Sequence, residues 1–253
     1  MGNNQSVSSR GNTRCVDCPL RANKQFRPFT DKELAFVSDF KRGELTIEKG
    51  GAILTEGTRS PHVYTVLTGI SFRYKMLADG RRQVLNFAFP GDIVGLQNAL
   101  DAEMSHSIEA LTAISLCVFE RARLPELYQG FPHLAYDLTW LAARELGTMD
   151  QHLVSVGRRT ALEKAAYLAV FLHGRALETG VIEASNQLIP VTQSIISDAL
   201  GLSTVHTNKT LRKLVDRNLI EWRDGGFVVV DLKGLKTAAQ WEKNKSAQQK
   251  PFL

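Results

Sequence analysis

One segment, between residues 191 and 235, restricts the possible folds of this 253-residue chain more than any other. It opens with the apolar-periodic run QSIISDALGL, which follows the candidate helix cap Thr192. Gly201 ends that run at a position where a left-handed backbone favours glycine. Ser203 then caps a second run, TVHTNKTLRKLVDRN, whose inward-facing residues are Thr207, Leu211 and Leu214. Two short helices joined by a tight glycine turn form a helix-turn-helix.

The sequence after these helices, LIEWRDGGFVVV, predicts a two-stranded hairpin that turns at Asp224-Gly225-Gly226. A hairpin in this place makes the motif a winged helix-turn-helix. Residues 158–253 hold 14 Lys and Arg against 9 Asp and Glu, so the formal net charge of +5 lies wholly in this part. A basic module beside a neutral body indicates a polyanionic partner, with nucleic acid as the first candidate.

In a helix-turn-helix the second helix enters the major groove of duplex DNA with its N-terminal half. Asn208 can read adenine and Lys209 can donate to guanine, whereas Lys213 and Arg217 suit phosphates. The alternative is a helix-turn-helix that serves only protein packing. The candidate DNA-binding residues are Ser203, Thr204, Val205, His206, Asn208, Lys209, Arg212 and Lys213.

Short apolar-alternating runs recur about every ten residues between Phe29 and Tyr128, and Gly and Asp-Gly turns separate them. Regular spacing of short strands predicts a compact β-roll or barrel, whose interior can hold one small ligand. The period then changes, because residues 131–156 carry an apolar stripe at helical spacing that starts beside Pro132. This long helix needs a partner, either its own domain or the same helix of a second subunit. The candidate dimer-interface residues are Leu134, Leu138, Leu141 and Met149.

These patterns predict an α+β fold in five parts. We expect a cytoplasmic protein that does not contact membranes, since no apolar run is long enough to span a bilayer. The N-terminus is polar and is no secretory signal, and we expect residues 1–14 to be disordered. We expect no enzyme, because the chain lacks a Gly-rich phosphate loop, a Ser/His/Asp pattern and metal-spaced histidines. The parts are a cysteine-containing segment (1–28), a β-roll sensor domain (29–128), a dimerisation helix (129–157), a winged helix-turn-helix (158–235) and a tail (236–253).

The order of roll, long helix and winged helix-turn-helix resembles the Crp/Fnr superfamily of bacterial transcription regulators. FPGDIVGL, residues 89–96, looks like the strand-turn segment of that family's cyclic-nucleotide-binding roll, and VTQSIISDALGLSTVHTNKTLRKLVDRNLIE looks like its DNA-binding helices. The resemblance covers about residues 15–235. It implies a homodimer joined by the long helix, a palindromic DNA site, RNA polymerase as a partner, and a signal received by the N-terminal half.

Cyclic AMP is not carried over by the resemblance. Family members that bind it place a Glu after the Gly of the roll segment and an Arg-Ser pair on a following strand. This chain has Leu96 in place of the Glu and His106-Ser107 in place of the Arg-Ser pair. A buried phosphate would therefore lose its charge-assisted bidentate partner. The candidate effector-pocket residues are Leu96, Gln97, His106 and Ser107, and the ligand, if there is one, stays open.

Cysteines indicate a second kind of signal. Cys15 and Cys18 form a C-x2-C pair, and Cys117 lies far away on a predicted strand. The positions resemble the oxygen-sensing Fnr branch, except that its remaining N-terminal cysteine would lie near Lys24 and is missing. Since iron–sulfur clusters usually have four thiolate ligands, three readings stay open: a metal or iron–sulfur site, a thiol redox site, or a buried Cys117 beside an incidental pair. A ligand-binding protein without DNA affinity is the rival to a regulator.

Overall fold

The computed structural model describes residues 13–99, 103–183, 187–242 and 250–253. The expected disorder of residues 1–14 falls almost wholly outside these ranges. No helix within them is long and apolar enough to cross a lipid bilayer. The fold combines helices with sheets, as the predicted α+β class requires, and it has the predicted order of roll, long helix and helix-turn-helix.

Eight short strands build the roll, and they coincide with the alternating runs of the sequence. Two four-stranded sheets result, with the strand orders β1-β8-β3-β6 and β2-β7-β4-β5. In the first sheet β8 lies between β1 and β3 and is antiparallel to both. The strands are β1 (Lys41–Ile47), β2 (Ala52–Leu54), β3 (His62–Thr68), β4 (Ser71–Met76), β5 (Arg82–Ala88), β6 (Ile93–Val94), β7 (Ser107–Ala110) and β8 (Ile114–Glu120).

Helices flank the roll on both sides in sequence. The second of them is fixed by a capping box, in which Thr30 accepts from the Glu33 amide and Glu33 accepts from the Thr30 amide. The fourth helix starts at Pro132, as its sequence predicts, and its 27 residues extend about 40 Å at 1.5 Å per residue. These helices are α1 (Pro19–Ala22), α2 (Asp31–Phe40), α3 (Leu124–Gly130) and α4 (Pro132–Arg158).

The C-terminal part begins with a mostly buried helix that packs against the two short helices and the last helix. Thr160 and Glu163 form a second capping box at its start. The elements are α5 (Ala161–Glu178), α6 (Gln193–Leu200), α7 (Thr204–Asp216), β9 (Ile220–Arg223), β10 (Gly226–Val229) and α8 (Leu232–Ala238).

Two compact units divide the chain at places that differ from the predicted domain limits. The first unit holds the described residues of 13–71, 88–143 and 250–253, and the second holds those of 72–87 and 144–242. The division therefore falls inside α4. The first unit has two apolar clusters, one inside the roll and one where α2, α3 and the start of α4 pack on β3 and β8. Phe252 and Leu253, at the end of the predicted tail (236–253), belong to the second of these clusters.

Candidate nucleic-acid interface

The turn between α6 and α7 is made by residues that act locally. Thr192 accepts a hydrogen bond from the Ile195 amide at 3.3 Å and so caps α6. Gly201 ends the helix with φ of +63°, where a side chain would be strained. Ser203 accepts from the His206 amide at 3.3 Å and starts α7. The predicted caps and the predicted glycine turn are all confirmed.

The inward side of α7 anchors the helix in the second unit. Thr207, Leu211 and Leu214 are at most 5% exposed, as predicted. Thr210 is also buried, and its hydroxyl donates to the His206 carbonyl at 2.8 Å. Because one face is held so firmly, the orientation of the opposite face is fixed.

That opposite face presents every predicted DNA-binding residue to solvent. Val205 is 66% exposed, which is high for an apolar side chain in the first turn of a helix. Within the described ranges, Lys209, Arg212 and Lys213 form no salt bridge that would neutralise their charge. Three free cations and an amide along one face can meet a polyanion and hydrogen-bond to base edges.

The hairpin after α7 pairs β9 with β10 in antiparallel register, Trp222 opposite Phe227. Phe227 is buried and also pairs with Ile189, which fastens the hairpin to the segment before α6. At the exposed tip Arg223 is paired with Glu221 at 2.8 Å. The hairpin thus has the form of a wing next to the proposed reading helix.

The three cysteines come together in the first unit. Cys117 is buried on β8, and Cys15 and Cys18 pack against the apolar cluster that contains it. All three are free thiols. Burial raises the pKa of Cys117 to about 12 and also raises the pKa of Cys18. The thiol form is therefore favoured at both positions, and all three cysteines lie in or against one apolar cluster.

A buried ion pair, missed by the sequence reasoning, accompanies these thiols. The Lys41 ammonium, with a side chain 5% exposed, donates to Glu44 and to the Thr13 carbonyl, both at 2.7 Å. Glu44 also accepts from the Thr13 amide at 2.9 Å and lies opposite Cys117 in the β1–β8 register. The pair holds the start of the cysteine segment on the roll. A register shift between Lys41 and Gly43 brings both side chains to one face of β1, and simple alternation along the strand gave no signal of this in the sequence.

The residues do not fit an iron–sulfur cluster as placed. No group of three or more metal-ligating side chains stands at ligand positions among the residues that the structure describes. Lys24, where the branch has a further cysteine, offers an ammonium instead of a thiolate. The Lys41 charge lowers the pKa of Cys117, yet the cost of burying a thiolate outweighs it.

The predicted effector-pocket residues have partners within the first unit. Ser107 accepts from the Glu56 amide at 3.0 Å. The buried His106 places Nδ1 3.1 Å from the Ser105 hydroxyl. Leu96 packs against the apolar cluster of the cysteines, whereas Gln97 is exposed. None of these contacts assigns a ligand.

Most of the predicted dimer-interface residues are packed within their own chain. Leu134, Leu138 and Leu141 are 8% exposed or less inside one protomer, and the first two belong to its apolar core. Met149 contacts the Arg73 guanidinium at 3.1 Å. The three leucines are therefore covered by their own chain, whereas Met149 is half-buried. The helix has a second apolar stripe on its open side, which includes Tyr136, Leu146 and Leu153, 60%, 65% and 74% exposed.

Comparison with known families gives matches to both halves of the chain. The family described as "Cyclic nucleotide-binding domain" matches residues 44–131, and "Crp-like helix-turn-helix domain" matches residues 165–238. The chain is 31% identical to the nitrogen fixation regulation protein FixK of Bradyrhizobium diazoefficiens, over 86% of this chain and 90% of that protein. It is 26% identical to the transcriptional activator protein FnrL of Cereibacter sphaeroides, over 86% and 88% respectively.

Among solved structures, that of FixK2 from Bradyrhizobium japonicum is similar with a TM-score of 0.69 and 26% identity. The match covers 77% of this chain and 96% of that one. The similarity therefore covers most of both chains.

Proposed function

Because this chain belongs to the Crp/Fnr family of transcription regulators, we propose that it binds duplex DNA sequence-specifically through α7 and regulates transcription. The observation that carries the proposal is the solvent-facing side of α7, which is polar and cationic and is held rigidly by its buried side. One relative of this chain is named as a nitrogen fixation regulation protein and another as a transcriptional activator, and neither name describes an enzyme. We place its action in the cytoplasm, where bacterial DNA is.

Each exposed residue of α7 has a role that its chemistry suggests. Asn208 reads adenine with two hydrogen bonds, and Lys209 donates to guanine acceptors. Val205 contacts a thymine methyl group, since it can neither donate nor accept a hydrogen bond. Lys213 and Arg217, farther along the chain, neutralise phosphates. Thr204, His206 and Arg212 complete the contact face.

The test is a selection of binding sites from random duplexes, followed by affinity measurements at several salt concentrations. Asn208→Ala should weaken the selected site by about 1–3 kcal/mol and relax one base position. Its matched control, Lys213→Ala, should weaken all sequences alike and reduce the salt dependence by about one counterion. An unchanged sequence preference in Asn208→Ala would refute the proposed docking of α7.

We further propose a homodimer that binds a palindromic site. Leu146 and Leu153 are seven residues apart and Tyr136 lies ten residues before Leu146, so all three occupy the a and d positions of successive heptads. This open stripe of α4 supplies a seam for the same helix of a second copy. RNA polymerase is the expected further partner of a regulator of this kind.

We propose that the signal acts on Cys15, Cys18 and Cys117 as free thiols and not through a bound metal or cluster. Their convergence in one cluster supports a shared site, and the absence of a ligand group among the described residues, with Lys24 in place of a cysteine, disfavours a cluster. A small ligand in the roll is the alternative signal. Iron and sulfide analysis with an absorbance spectrum of anaerobically purified protein separates them: stoichiometric iron and sulfide that are lost in Cys117→Ser would refute the thiol assignment.

A further inference from the structure

The last four described residues, Lys250–Leu253, are bound by the first unit as a short peptide would be. The Lys250 amide donates to the Gln25 carbonyl at 2.9 Å, and the Arg27 amide donates to the Lys250 carbonyl at 2.9 Å. Phe26 and Lys250 thereby form a parallel β-bridge. The backbone of residues 250–253, called the tail from here on, is paired with residues 25–27 at the far end of the cysteine-containing segment.

The side chain of Lys250 fixes the tail by charge. It is 2% exposed, and its Nζ donates to Asp92 Oδ1 at 2.5 Å. The other oxygen of Asp92 accepts from the Phe89 amide at 2.8 Å, which orients the carboxylate. Nζ also lies 5.4 Å from the centre of the Phe26 ring. An ammonium buried this deeply is tolerated only with such partners.

Apolar contacts complete the binding surface. Phe252 is 3% exposed, with its ring centre 4.6 Å from that of Phe29 and 5.3 Å from that of Phe26. Leu253 is 5% exposed. A Cβ at Gly91 would lie 2.3 Å from the Phe26 ring, so glycine is what lets this ring take its place. The surface is thus shaped for a basic residue followed by an aromatic and an aliphatic one.

The tail and the cysteines share one apolar cluster. Phe252 and Leu253 are members of the cluster that contains Leu20, Phe26 and Cys117, and Cys15 and Cys18 pack against it. The segment that bears Cys15 and Cys18 is held at its start by Lys41 and Glu44. Its far end, at residues 25–27, is paired with the tail. Loss of the tail removes one attachment of this segment, while Arg27 keeps its ion pairs with Glu33 and Asp137.

We propose that the groove formed by residues 25–29 and Asp92 is a binding site for residues 250–253 of this chain, Lys-Pro-Phe-Leu, and that its occupancy controls the exposure of Cys15 and Cys18. The tail acts as an anchor for the cysteine segment. This role is independent of DNA recognition by α7 and of what the thiols sense. It joins residues 15–29 and residues 250–253 into one structural element.

The experiment measures alkylation of each cysteine by N-ethylmaleimide, resolved by mass spectrometry, under reducing conditions. Deletion of residues 250–253, Lys250→Met and Asp92→Asn should each accelerate modification of Cys15 and Cys18 by about tenfold or more, because local opening becomes easier. Lys233→Met, an exposed lysine of α8, is the matched control and should leave the rates unchanged. Since Lys250 and Asp92 act as one pair, the double variant should exceed neither single variant.

Two further readouts make the result decisive. A synthetic peptide with the sequence QQKPFL should restore protection to the deletion variant, and the same peptide with Glu in place of Lys should not. DNA binding, measured in parallel, should be retained by the deletion variant, which separates failure of this anchor from failure of the proposed function. Unchanged rates at Cys15 and Cys18, or an equal acceleration at the buried Cys117, would overturn the proposal.

Discussion

His152, on the second half of α4, offers the sharpest test of the electrostatics within the second unit. Its ring packs edge-on against Phe171 at 4.8 Å and Tyr167 at 5.8 Å. Within the described part of the chain, Nε2 has no hydrogen-bond partner. Burial, with a smaller contribution from the nearby Arg73 charge, lowers the pKa of His152 to about 4. Between about pH 6.5 and pH 4, the imidazole is therefore neutral in the folded protein, whereas in the unfolded chain it is protonated.

The sign of the effect on stability follows from that order of pKa values. In the unfolded chain His152 takes up a proton as the pH falls through about 6.5, whereas the folded protein takes it up only near pH 4. The neutral His152 therefore costs no stability above pH 6.5, and the free energy of unfolding falls progressively between pH 6.5 and 4. At about 1.4 kcal/mol per pH unit, the full loss is about 3 kcal/mol, and about 2 kcal/mol of it is reached by pH 5.

Two neighbouring ionisable groups, Arg73 and Tyr167, do not titrate between pH 6.5 and 4. Arg73 is paired with Glu145 at 2.8 Å and stays charged, and burial raises the pKa of Tyr167 to about 12. We expect the free energy of unfolding, measured by denaturant at one protein concentration, to fall by about 2 kcal/mol less between pH 7.5 and 5 in His152→Phe than in the natural protein.

His152→Gln should flatten the pH dependence by the same amount as His152→Phe. The two variants can differ in stability at pH 7.5, but the only change that they share is the loss of the His152 ionisation. Titration of the His152 ring by NMR, assigned through the variants, should give a midpoint near 4. A pH dependence equal to that of the natural protein, in both variants, would refute the buried neutral imidazole.

Three shorter predictions concern the proposed seam and the reading helix. Leu153→Glu should convert the dimer to monomer in sedimentation at an unchanged helix content. Leu141→Glu should instead lower stability by several kcal/mol, because it buries a charge in the protomer itself. A dimer that persists in Leu153→Glu would contradict the proposed seam on the open stripe. Leu214→Ala should cost about 2–5 kcal/mol in thermal or denaturant unfolding, since the side chain is fully buried; a loss below 1 kcal/mol would contradict its inward packing. Gly201→Ala should destabilise the protein by about 1 kcal/mol through its positive φ, and an increase in stability would show that α6 ends differently.

Local rules account for what the sequence determined. Thr192, Gly201 and Ser203 act on backbone groups within three or four residues, so the helix-turn-helix and the outward direction of Asn208 and Lys209 follow from spacing alone. The strands of the roll and the start of α4 at Pro132 have the same origin. The expectation that the cysteines share one site came from the family resemblance, because no local rule relates residue 18 to residue 117.

Tertiary structure decided which of the two apolar stripes of α4 is covered by its own chain. Leu138 and Leu146 look alike in a periodic pattern, yet one is 1% and the other 65% exposed. It also decided the place of the tail, where Lys250 meets Asp92 across 158 positions of sequence. A salt bridge of that kind depends on where two distant backbones end up, and burial is a property of the whole packed unit. Periodicity, which reports only a residue's own element, carries no information about either.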